Sequence, residues 1–272
     1  ENGLSNDATW GELVDKKLIL KPKVTENEWN NISTQQFIKI LDPAVGTGSF
    51  INVVSNKIRE NLEKNNHNNK IKDVNNLILE KIYGFEIMIA PYSICHLKIG
   101  LNLKNHNYNF EQNNKRLNVF LNNTLDPPKS ENLGFFENYL SEESEQANKI
   151  KNYLFPVVMG NPPYHGLSSN KNDWAKKLIE PYKYCEGKHF GERKHWLNDD
   201  YVKFLRYGQE KINEANQGVL AFITNHAFLD NTTFRCMRLS LINSFDQIYI
   251  LNLHGNANQR ETSPDGSKDE NI

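Results

Sequence analysis

Residues 37–50 read FIKILDPAVGTGSF, and this segment is the strongest indication of the fold class. The apolar residues of Phe37–Leu41 predict a short buried strand that runs straight into Asp42 and a turn with two glycines. Apolar residues then recur at helical spacing from Phe50 to Leu62. The stretch is therefore predicted to form a strand, a glycine-rich turn and a helix, in that order.

The same alternation continues along the chain. Strands are predicted at Ile82–Phe85 (ending at Glu86), Leu117–Leu121, Phe155–Met159, Val219–Thr224 and Gln247–Leu253, and helices around Ile94, Leu97 and Leu101 and at Tyr201–Ala215. Asn65–Asn76 is interpreted as a solvated loop or frayed helix end, and Asp126–Gln146 as an excursion over the surface. Strands that alternate with helices predict an α/β fold with a mostly parallel central sheet, whose ligands bind at the carboxyl ends of the strands.

The composition is that of a globular protein, with 38% hydrophobic and 24% charged residues among 272. The 32 basic residues are nearly cancelled by 33 acidic ones, so any contact with nucleic acid must come from local basic patches. No uninterrupted apolar run approaches the length of a membrane span, and we expect no membrane contact. Cys95, Cys185 and Cys236 lie far apart, which predicts no zinc or other metal site, no disulfide framework and a reducing, cytoplasmic location.

The turn after the first strand is suited to holding a ligand. Its glycines let the backbone approach a ligand closely, and the helix that follows presents unpaired N–H groups. The phosphate-binding patterns are absent, because no lysine follows Gly48 and no third glycine stands at the right spacing. Asp42 instead suits a ligand with a cationic or hydrogen-bond-donating group. The alternative is an ordinary glycine turn of an α/β sheet.

Glu86 closes the second predicted strand. A carboxylate at this position can accept hydrogen bonds from both hydroxyls of a ribose, as in dinucleotide-binding sheets. An exposed glutamate without a binding role is the alternative, and the position of Glu86 relative to the glycine turn favours the binding role.

The motif Asn161-Pro162-Pro163-Tyr164 follows the fourth predicted strand. The two prolines stiffen the backbone and remove two N–H donors, so nearby carbonyls can point outward as acceptors. The Asn161 side chain adds another acceptor, and the Tyr164 ring offers a stacking face. The motif therefore suits a planar molecule with an exocyclic amine, although Asn-Pro-Pro can also be a simple turn.

In this order, the three motifs resemble those of the γ-type amino methyltransferases, DPAxGxGxF and NPPY. The resemblance implies a Rossmann-like S-adenosylmethionine-dependent methyltransferase fold and methylation of the N6 amine of adenine in DNA. It implies that Glu86 binds the ribose of S-adenosylmethionine, that Ile87 packs on its adenine, and that Asn123 replaces an aspartate that contacts the adenine amine. The other implied cofactor residues are Asp42, Pro43, Ala44, Gly46, Thr47, Gly48 and Phe50, and the implied catalytic residues are Asn161, Pro162, Pro163 and Tyr164.

The resemblance also implies a mechanism. The Asn161 side chain and the Pro162 carbonyl would accept both hydrogens of the target amine, and the target adenine would be flipped out of the duplex to stack on Tyr164. Three alternatives remain open at this point. A protein-glutamine methyltransferase and an RNA methyltransferase would present a similar amine to the same motif, and an inactive cofactor-binding scaffold would leave the motif idle.

Three further stretches, Phe85–Tyr92, Leu197–Phe204 and Leu253–Asn256, look like the methyltransferase region of single-polypeptide Type ISP restriction–modification enzymes. The likeness covers nearly all of residues 36–272. It implies that the partners are DNA and the nuclease, translocase and target-recognition domains of the same parent polypeptide. We expect a polar N-terminal extension at 1–36 and a methyltransferase core at 37–272 that is incomplete at both ends.

Residues 165–200 are predicted to be an insertion that contacts DNA. Basic residues interleaved with aromatic ones suit phosphates and displaced bases. A solvated loop whose aromatic residues only anchor it is the equal alternative. The residues in question are Lys171, Lys176, Lys177, Lys183, Lys188, Arg193 and Lys194, with Trp174, Tyr182, Tyr184, Phe190 and Trp196.

Overall fold

The computed structural model describes residues 39–64, 71–112, 115–127, 138–164, 170–185, 187–191, 195–251, 253 and 266–267. The helices are α1 (Ser49–Lys64), α2 (Ile71–Lys81), α3 (Ile89–Asn105), α4 (Asn138–Lys151), α5 (Asp173–Ile179), α6 (Asp200–Ala215), α7 (Ala227–Asp230) and α8 (Arg235–Ser244). The strands are β1 (Ile40–Asp42), β2 (Ile82–Glu86), β3 (Asn118–Leu121), β4 (Val157–Gly160), β5 (Tyr184–Cys185), β6 (Lys188–His189) and β7 (Val219–Phe222). Short 3₁₀ helices occupy Glu180–Lys183, His195–Asn198 and Thr232–Phe234.

Five strands form one sheet in the order β3-β2-β1-β4-β7, and all of its pairings are parallel. In this register Asp42 lies opposite Gly84, and Gly160 lies opposite Phe222. Strand β2 is buried along its whole length, as expected for a parallel sheet that is covered on both faces. The predicted Rossmann-like α/β fold is therefore confirmed. Strands β5 and β6 form a separate antiparallel pair.

Helices cover both faces of this sheet. On one face, α1, α2 and α3 bury Ile58, Ile78 and Ile99 against the strands. On the other face, α4 and α6 bury Ile150 and Phe204. The apolar strands are thereby removed from water on both sides, which is the main source of stability for such a layered fold. No helix in the described part of the chain is long and apolar enough to cross a membrane.

Helix α3 forms where it was predicted, but a different face is buried. Its buried residues are Cys95, Ile99 and Leu103, whereas the apolar residues that predicted the helix, Ile94, Leu97 and Leu101, are exposed. The helix is apolar on two sides, so the apolar pattern indicates its existence without indicating which side packs on the sheet.

Of the two interpretations of Asn65–Asn76, the solvated loop is wrong for residues 71–76, which form the start of α2, and residues 65–70 lie outside the described part. Helix α2 begins at Ile71, because Val74 and Asn75 are buried against neighbouring elements. The Asn75 side chain accepts from the Arg59 guanidinium at 2.8 Å and donates to the His106 carbonyl at 2.9 Å. Long-range partners of a polar side chain thus stabilise a helix that the asparagine-rich sequence disfavours.

The prediction of a surface excursion over Asp126–Gln146 is wrong for residues 138–146, which belong to α4. This helix is anchored to the sheet by Ala147 and Ile150. It also buries Glu143, whose carboxylate accepts from the Arg116 guanidinium at 2.5 Å. The sequence did not indicate this anchor, because it does not distinguish a buried carboxylate that has a partner from an exposed one.

The predicted strand at Gln247–Leu253 is not formed by its described residues. Tyr249 and Leu251 are 87% and 83% exposed. In the part of the chain that the structure describes, β7 is the outermost strand on its side of the sheet, so this segment has no neighbouring strand to which its backbone groups can bond.

One disulfide forms, although the spacing of the cysteines predicted no disulfide framework. Cys185 and Cys236 are bonded, with their Cα atoms 5.0 Å apart. The chain after α5 turns back onto the start of α8, where the Arg235 guanidinium lies 4.5 Å from the centre of the Phe190 ring. Distance along the sequence therefore gave no guide to distance in space. Cys95 remains a buried thiol.

Candidate active site

The carboxyl ends of four adjacent parallel strands meet at one edge of the sheet. Asp42 ends β1, Glu86 ends β2, Asn123 follows β3 and Asn161 follows β4. The fold therefore brings the three predicted motifs and Asn123 together at the edge where parallel sheets bind their ligands.

The turn between β1 and α1 requires both of its glycines. Gly46 and Gly48 have φ angles of +56° and +77°, the left-handed region in which a side chain would strain the backbone. A Cβ atom at Gly48 would also lie 2.6 Å from the Sγ of Cys95 on α3. The Val45 N–H donates to the Phe85 carbonyl at 3.0 Å. The turn is therefore fixed against β2 and α3 by its own backbone.

Glu86 holds this turn in place. Its Oε2 accepts from the Gly46 N–H at 2.8 Å, and its Oε1 accepts from the Met88 N–H at 2.9 Å. The residue is only 9% exposed. Each carboxylate oxygen can accept a second hydrogen bond, so capacity remains for two hydroxyl donors from a ligand.

Asp42 is buried, and one of its oxygens has no partner. Its Oδ1 accepts from the Ala44 N–H at 3.0 Å, whereas Oδ2 meets no hydrogen-bond donor among the described residues. Burial, together with the nearby charge of Glu86, raises the pKa of Asp42 to about 7. An unpartnered buried oxygen is costly, so this position suits a ligand that brings a cation or a donor to it.

Two contacts that the sequence analysis missed join the motifs to each other. A Cβ atom at Gly160 would lie 2.6 Å from Asp42 Oδ1, so the carboxylate lies directly against the backbone that precedes Asn161. The Thr124 hydroxyl donates to the Pro43 carbonyl at 2.5 Å. The available signals were a glycine directly before the NPPY motif and a threonine directly after Asn123.

Apolar side chains lie in the open beside these polar groups. Ile87 and Met88, at the end of β2, are each 61% exposed. Phe50 is half-buried at the start of α1, and Thr47 is exposed in the turn. Large apolar side chains that are exposed next to a buried carboxylate offer a surface on which a flat ring can pack.

Asn161 and Tyr164 contact each other at the end of β4. The Tyr164 hydroxyl donates to the Asn161 side-chain oxygen and lies 3.4 Å from the Ile223 carbonyl. Pro162 is buried, whereas Asn161, Pro163 and Tyr164 are exposed. Burial raises the pKa of Tyr164, so its hydroxyl stays protonated and remains a donor.

Asn123 has a defined amide orientation. Its Oδ1 accepts from the Leu125 N–H at 3.1 Å, and its Nδ2 donates to the Asn170 side-chain oxygen at 2.8 Å. An amide oxygen has two lone pairs, so one remains for a further donor.

The described part of residues 165–200 is folded rather than an open loop. Tyr182 is fully buried, and its hydroxyl donates to Gln209 Oε1 at 2.8 Å. Trp174 packs half-buried against the core. In contrast, Tyr184 and Trp196 are 43% and 53% exposed. The aromatic residues are thus divided, since some anchor the segment and others are available to a partner.

Two lysines of this segment form ion pairs with neighbouring acidic residues. Lys176 pairs with Asp173 at 2.8 Å, and Lys183 pairs with Glu180 at 2.7 Å. Exposed pairs of this kind contribute little to stability, but they reduce the local positive field. Arg193 and Lys194 lie outside the described residues.

Comparisons with known proteins match the chain to one family and to several solved structures. The model of the Eco57I restriction-modification methylase family matches residues 80–258. No curated protein matches the chain. A nuclease-deletion mutant of the Type ISP restriction-modification enzyme LlaGI, in complex with a DNA substrate mimic, is 21% identical with a TM-score of 0.68, over 97% of this chain and 21% of that one.

Two other solved structures are similar. The DrdV-DNA complex is 26% identical with a TM-score of 0.62, over 92% of this chain and 23% of that one. The ATP-dependent Type ISP restriction-modification enzyme LlaBIII bound to DNA is 23% identical with a TM-score of 0.68, over 85% of this chain and 16% of that one. The chain thus spans only about a fifth of the length of these proteins.

The family match spans well over half of the chain and includes both Glu86 and the NPPY motif, and the parallel sheet agrees with it. This chain belongs to the Eco57I restriction-modification methylase family and is a modification methyltransferase module.

Proposed function

We propose that this chain transfers a methyl group from S-adenosylmethionine to the N6 amine of an adenine in DNA. One observation carries the proposal: the Asp42 carboxylate lies against Gly160, so the candidate cofactor residues and the amine-accepting motif share one edge of the sheet. A methyl donor and an acceptor amine must meet within about 3 Å for direct transfer, and this arrangement suits such a meeting.

The residues present fit the cofactor. S-adenosylmethionine carries two cationic groups, a ribose and an adenine. The unpartnered Oδ2 of Asp42 suits a cationic group, and the two oxygens of Glu86 suit the ribose hydroxyls. Ile87 would pack on the adenine ring, and the remaining lone pair of Asn123 Oδ1 would accept from the adenine amine. The turn residues Pro43, Ala44, Gly46, Thr47, Gly48 and Phe50 would surround the rest.

When bound, the cofactor supplies an activated methyl group on a sulfonium. The chain's own residues would act on the adenine amine, whose lone pair is delocalised into the ring. Acceptance of both amine hydrogens, by the Asn161 side chain and the Pro162 carbonyl, favours a tetrahedral nitrogen with a localised lone pair. With its two hydrogens accepted by Asn161 and Pro162, the nitrogen would receive the methyl group that the cofactor supplies. S-adenosylhomocysteine would be the leaving group, and the nitrogen would lose one proton to solvent. Positioning and electrostatics supply most of the acceleration.

DNA as substrate is supported by the DNA complexes of the similar structures and by the family. An adenine inside a duplex is inaccessible, so the target base would be flipped out and stack on Tyr164. Residues 165–200 would contact DNA through exposed side chains such as Tyr184 and Trp196. Residues 37–272 would form the methyltransferase core after an extension at 1–36, in a polypeptide that also carries nuclease, translocase and target-recognition domains.

The test is methyl transfer by the intact protein. With tritiated S-adenosylmethionine and DNA, RNA or protein as acceptor, label should enter DNA and appear as N6-methyladenine after digestion to nucleosides. Asn161→Ala should lower turnover by at least about a hundredfold, the usual effect of removing a group that acts in the transition state, while cofactor affinity stays unchanged. Asn152→Ala, at an exposed asparagine after α4, is the matched control.

Label found in RNA or protein in place of DNA would contradict the proposed substrate. Turnover retained in Asn161→Ala would show that the catalytic motif is wrongly assigned.

A further inference from the structure

Four side chains connect the end of β3 to the start of α6. Asn123 Nδ2 donates to Asn170 Oδ1 at 2.8 Å, and Asn170 Nδ2 donates to Asp200 Oδ1 at 3.0 Å. Lys203 Nζ donates to the main-chain carbonyl of Asn170 at 2.8 Å. We call this chain of contacts the Asn170 bridge. Asn170 is held in it by both ends of its side chain and by its backbone.

The far end of the Asn170 bridge consists of buried charges. Asp200 and Lys203 are 6% and 3% exposed, and their charged atoms lie 3.5 Å apart. Burial of two charges is costly unless they are paired and hydrogen-bonded. Here both charged groups are directed at Asn170, so the fold uses a buried ion pair to fix one asparagine.

The near end of the bridge determines how Asn123 presents its amide. The two ends of an asparagine amide have nearly the same shape, and only their partners distinguish them. The Leu125 N–H requires the oxygen at one end, and Asn170 Oδ1 requires the NH₂ at the other. Without Asn170 only one of these two constraints remains, and the Asn123 amide can rotate away from the Leu125 N–H.

We propose that Asn170, held by Asp200 and Lys203, is a positioning residue that orients the Asn123 amide toward the exocyclic amine of the cofactor's adenine. The inference rests on the proposed function, because it concerns recognition of S-adenosylmethionine. Asn170 also lies shortly after the NPPY motif in the chain. The bridge therefore joins the proposed cofactor residue Asn123 to the segment that follows this motif in the chain.

The experiment compares two ligands that differ only in the amine. S-adenosylhomocysteine and its analogue with purine in place of adenine are titrated into the intact protein by calorimetry. The wild-type protein should prefer the amine-bearing ligand about fivefold, the usual effect of one neutral hydrogen bond. In Asn170→Ala this ratio should fall to about one, and affinity for the purine analogue should stay within about twofold, since that ligand never made the bond.

Asn172→Ala is the matched control. Asn172 stands two residues along the same segment and donates to the Leu125 carbonyl at 3.0 Å and to Asp126 Oδ1 at 2.8 Å. Its described contacts do not include Asn123, so its loss should weaken both ligands by the same factor and leave their ratio intact. A second pair of variants tests the same bridge while leaving Asn170 itself unchanged. Asp200→Ala should lower the ratio, and Asp200→Asn, which keeps an acceptor oxygen, should preserve it.

Each outcome has one meaning. If the wild-type protein binds neither ligand, the proposed function itself is wrong. If it binds both equally, the cofactor assignment stands and the positioning role is overturned. Equal weakening of both ligands by Asn170→Ala would also overturn it, because the bridge would then be only structural. If Asn170→Ala does not fold, the two Asp200 variants decide by the same ratio.

Discussion

The proposed cofactor side and the proposed target side of the candidate site are held together in different ways. On the cofactor side, the carboxylates of Asp42 and Glu86 are buried and accept hydrogen bonds from main-chain N–H groups. On the target side, Asn161 and Tyr164 are exposed and contact each other through their side chains. Main-chain groups are fixed by the fold, whereas exposed side chains change rotamer easily.

The contrast indicates which half of the site is formed before any ligand binds. The cofactor side is preformed, since the backbone of the glycine turn and both carboxylates already have their positions. On the target side, the acceptor oxygen of Asn161 is already bonded to Tyr164, so an entering amine has to share or replace that contact. The cofactor should therefore bind without rearrangement of the protein, whereas binding of the target base should require rearrangement.

Substitution of Glu86 is the most direct test of whether the cofactor side is preformed. Glu86→Ala removes the acceptor of two main-chain N–H groups and the proposed ribose contact together. Affinity for S-adenosylmethionine should fall by roughly ten- to a hundredfold, in line with 1–3 kcal/mol for unmade buried hydrogen bonds. Glu86→Gln keeps one acceptor oxygen and should have an intermediate effect. Calorimetry on the intact protein measures both.

Glu80→Ala is the control for this series, because Glu80 is a half-exposed carboxylate whose partner is Lys115. It should leave cofactor affinity unchanged. If Glu86→Ala leaves cofactor affinity as unchanged as Glu80→Ala does, the cofactor side is not organised around Glu86, and the conclusion that it is preformed is wrong.

The second prediction concerns pH on the cofactor side. The pKa of Asp42 is raised to about 7 by burial, so at pH 6 most molecules carry a proton on this carboxyl. A cationic ligand requires the ionised form and therefore displaces the proton. Affinity for S-adenosylmethionine should rise with pH by up to about tenfold per unit below pH 7 and level off above it, as expected for release of one proton.

Asp42→Asn removes the titration while keeping an oxygen for the Ala44 N–H. Its affinity should be weak and independent of pH between 6 and 8. Calorimetry in buffers with different ionisation enthalpies counts the protons released. No proton release from the wild-type protein across this range would mean that Asp42 does not face the cationic part of the ligand.

The local geometry of the candidate site could be predicted from the sequence better than the contacts between distant segments, for a physical reason. The glycine turn and Glu86 depend on residues that are adjacent in the chain or end neighbouring strands, and patterns of strands and glycines report such local geometry. Gly160, Thr124 and the Asn170 bridge depend on contacts between distant segments, which no local pattern encodes. The wrong strand at Gln247–Leu253 has the same origin, since an apolar run forms a strand only where a neighbour is available.

The smallest effect is expected from Tyr164→Phe, on the target side. The hydroxyl has two opposing influences on Asn161: it fixes the amide in the free protein, and it competes with the target amine for the same oxygen. Each is worth about one neutral hydrogen bond, so they largely cancel, and kcat/KM for DNA methylation should change by less than about threefold. The phenyl ring still stacks on a flipped base, so fluorescence of 2-aminopurine at the target position should match the wild type. Tyr153→Phe, at another partly exposed tyrosine, is the control. If Tyr164→Phe lost activity as severely as Asn161→Ala, the hydroxyl would act on the target itself, and both sides of the site would then be preformed.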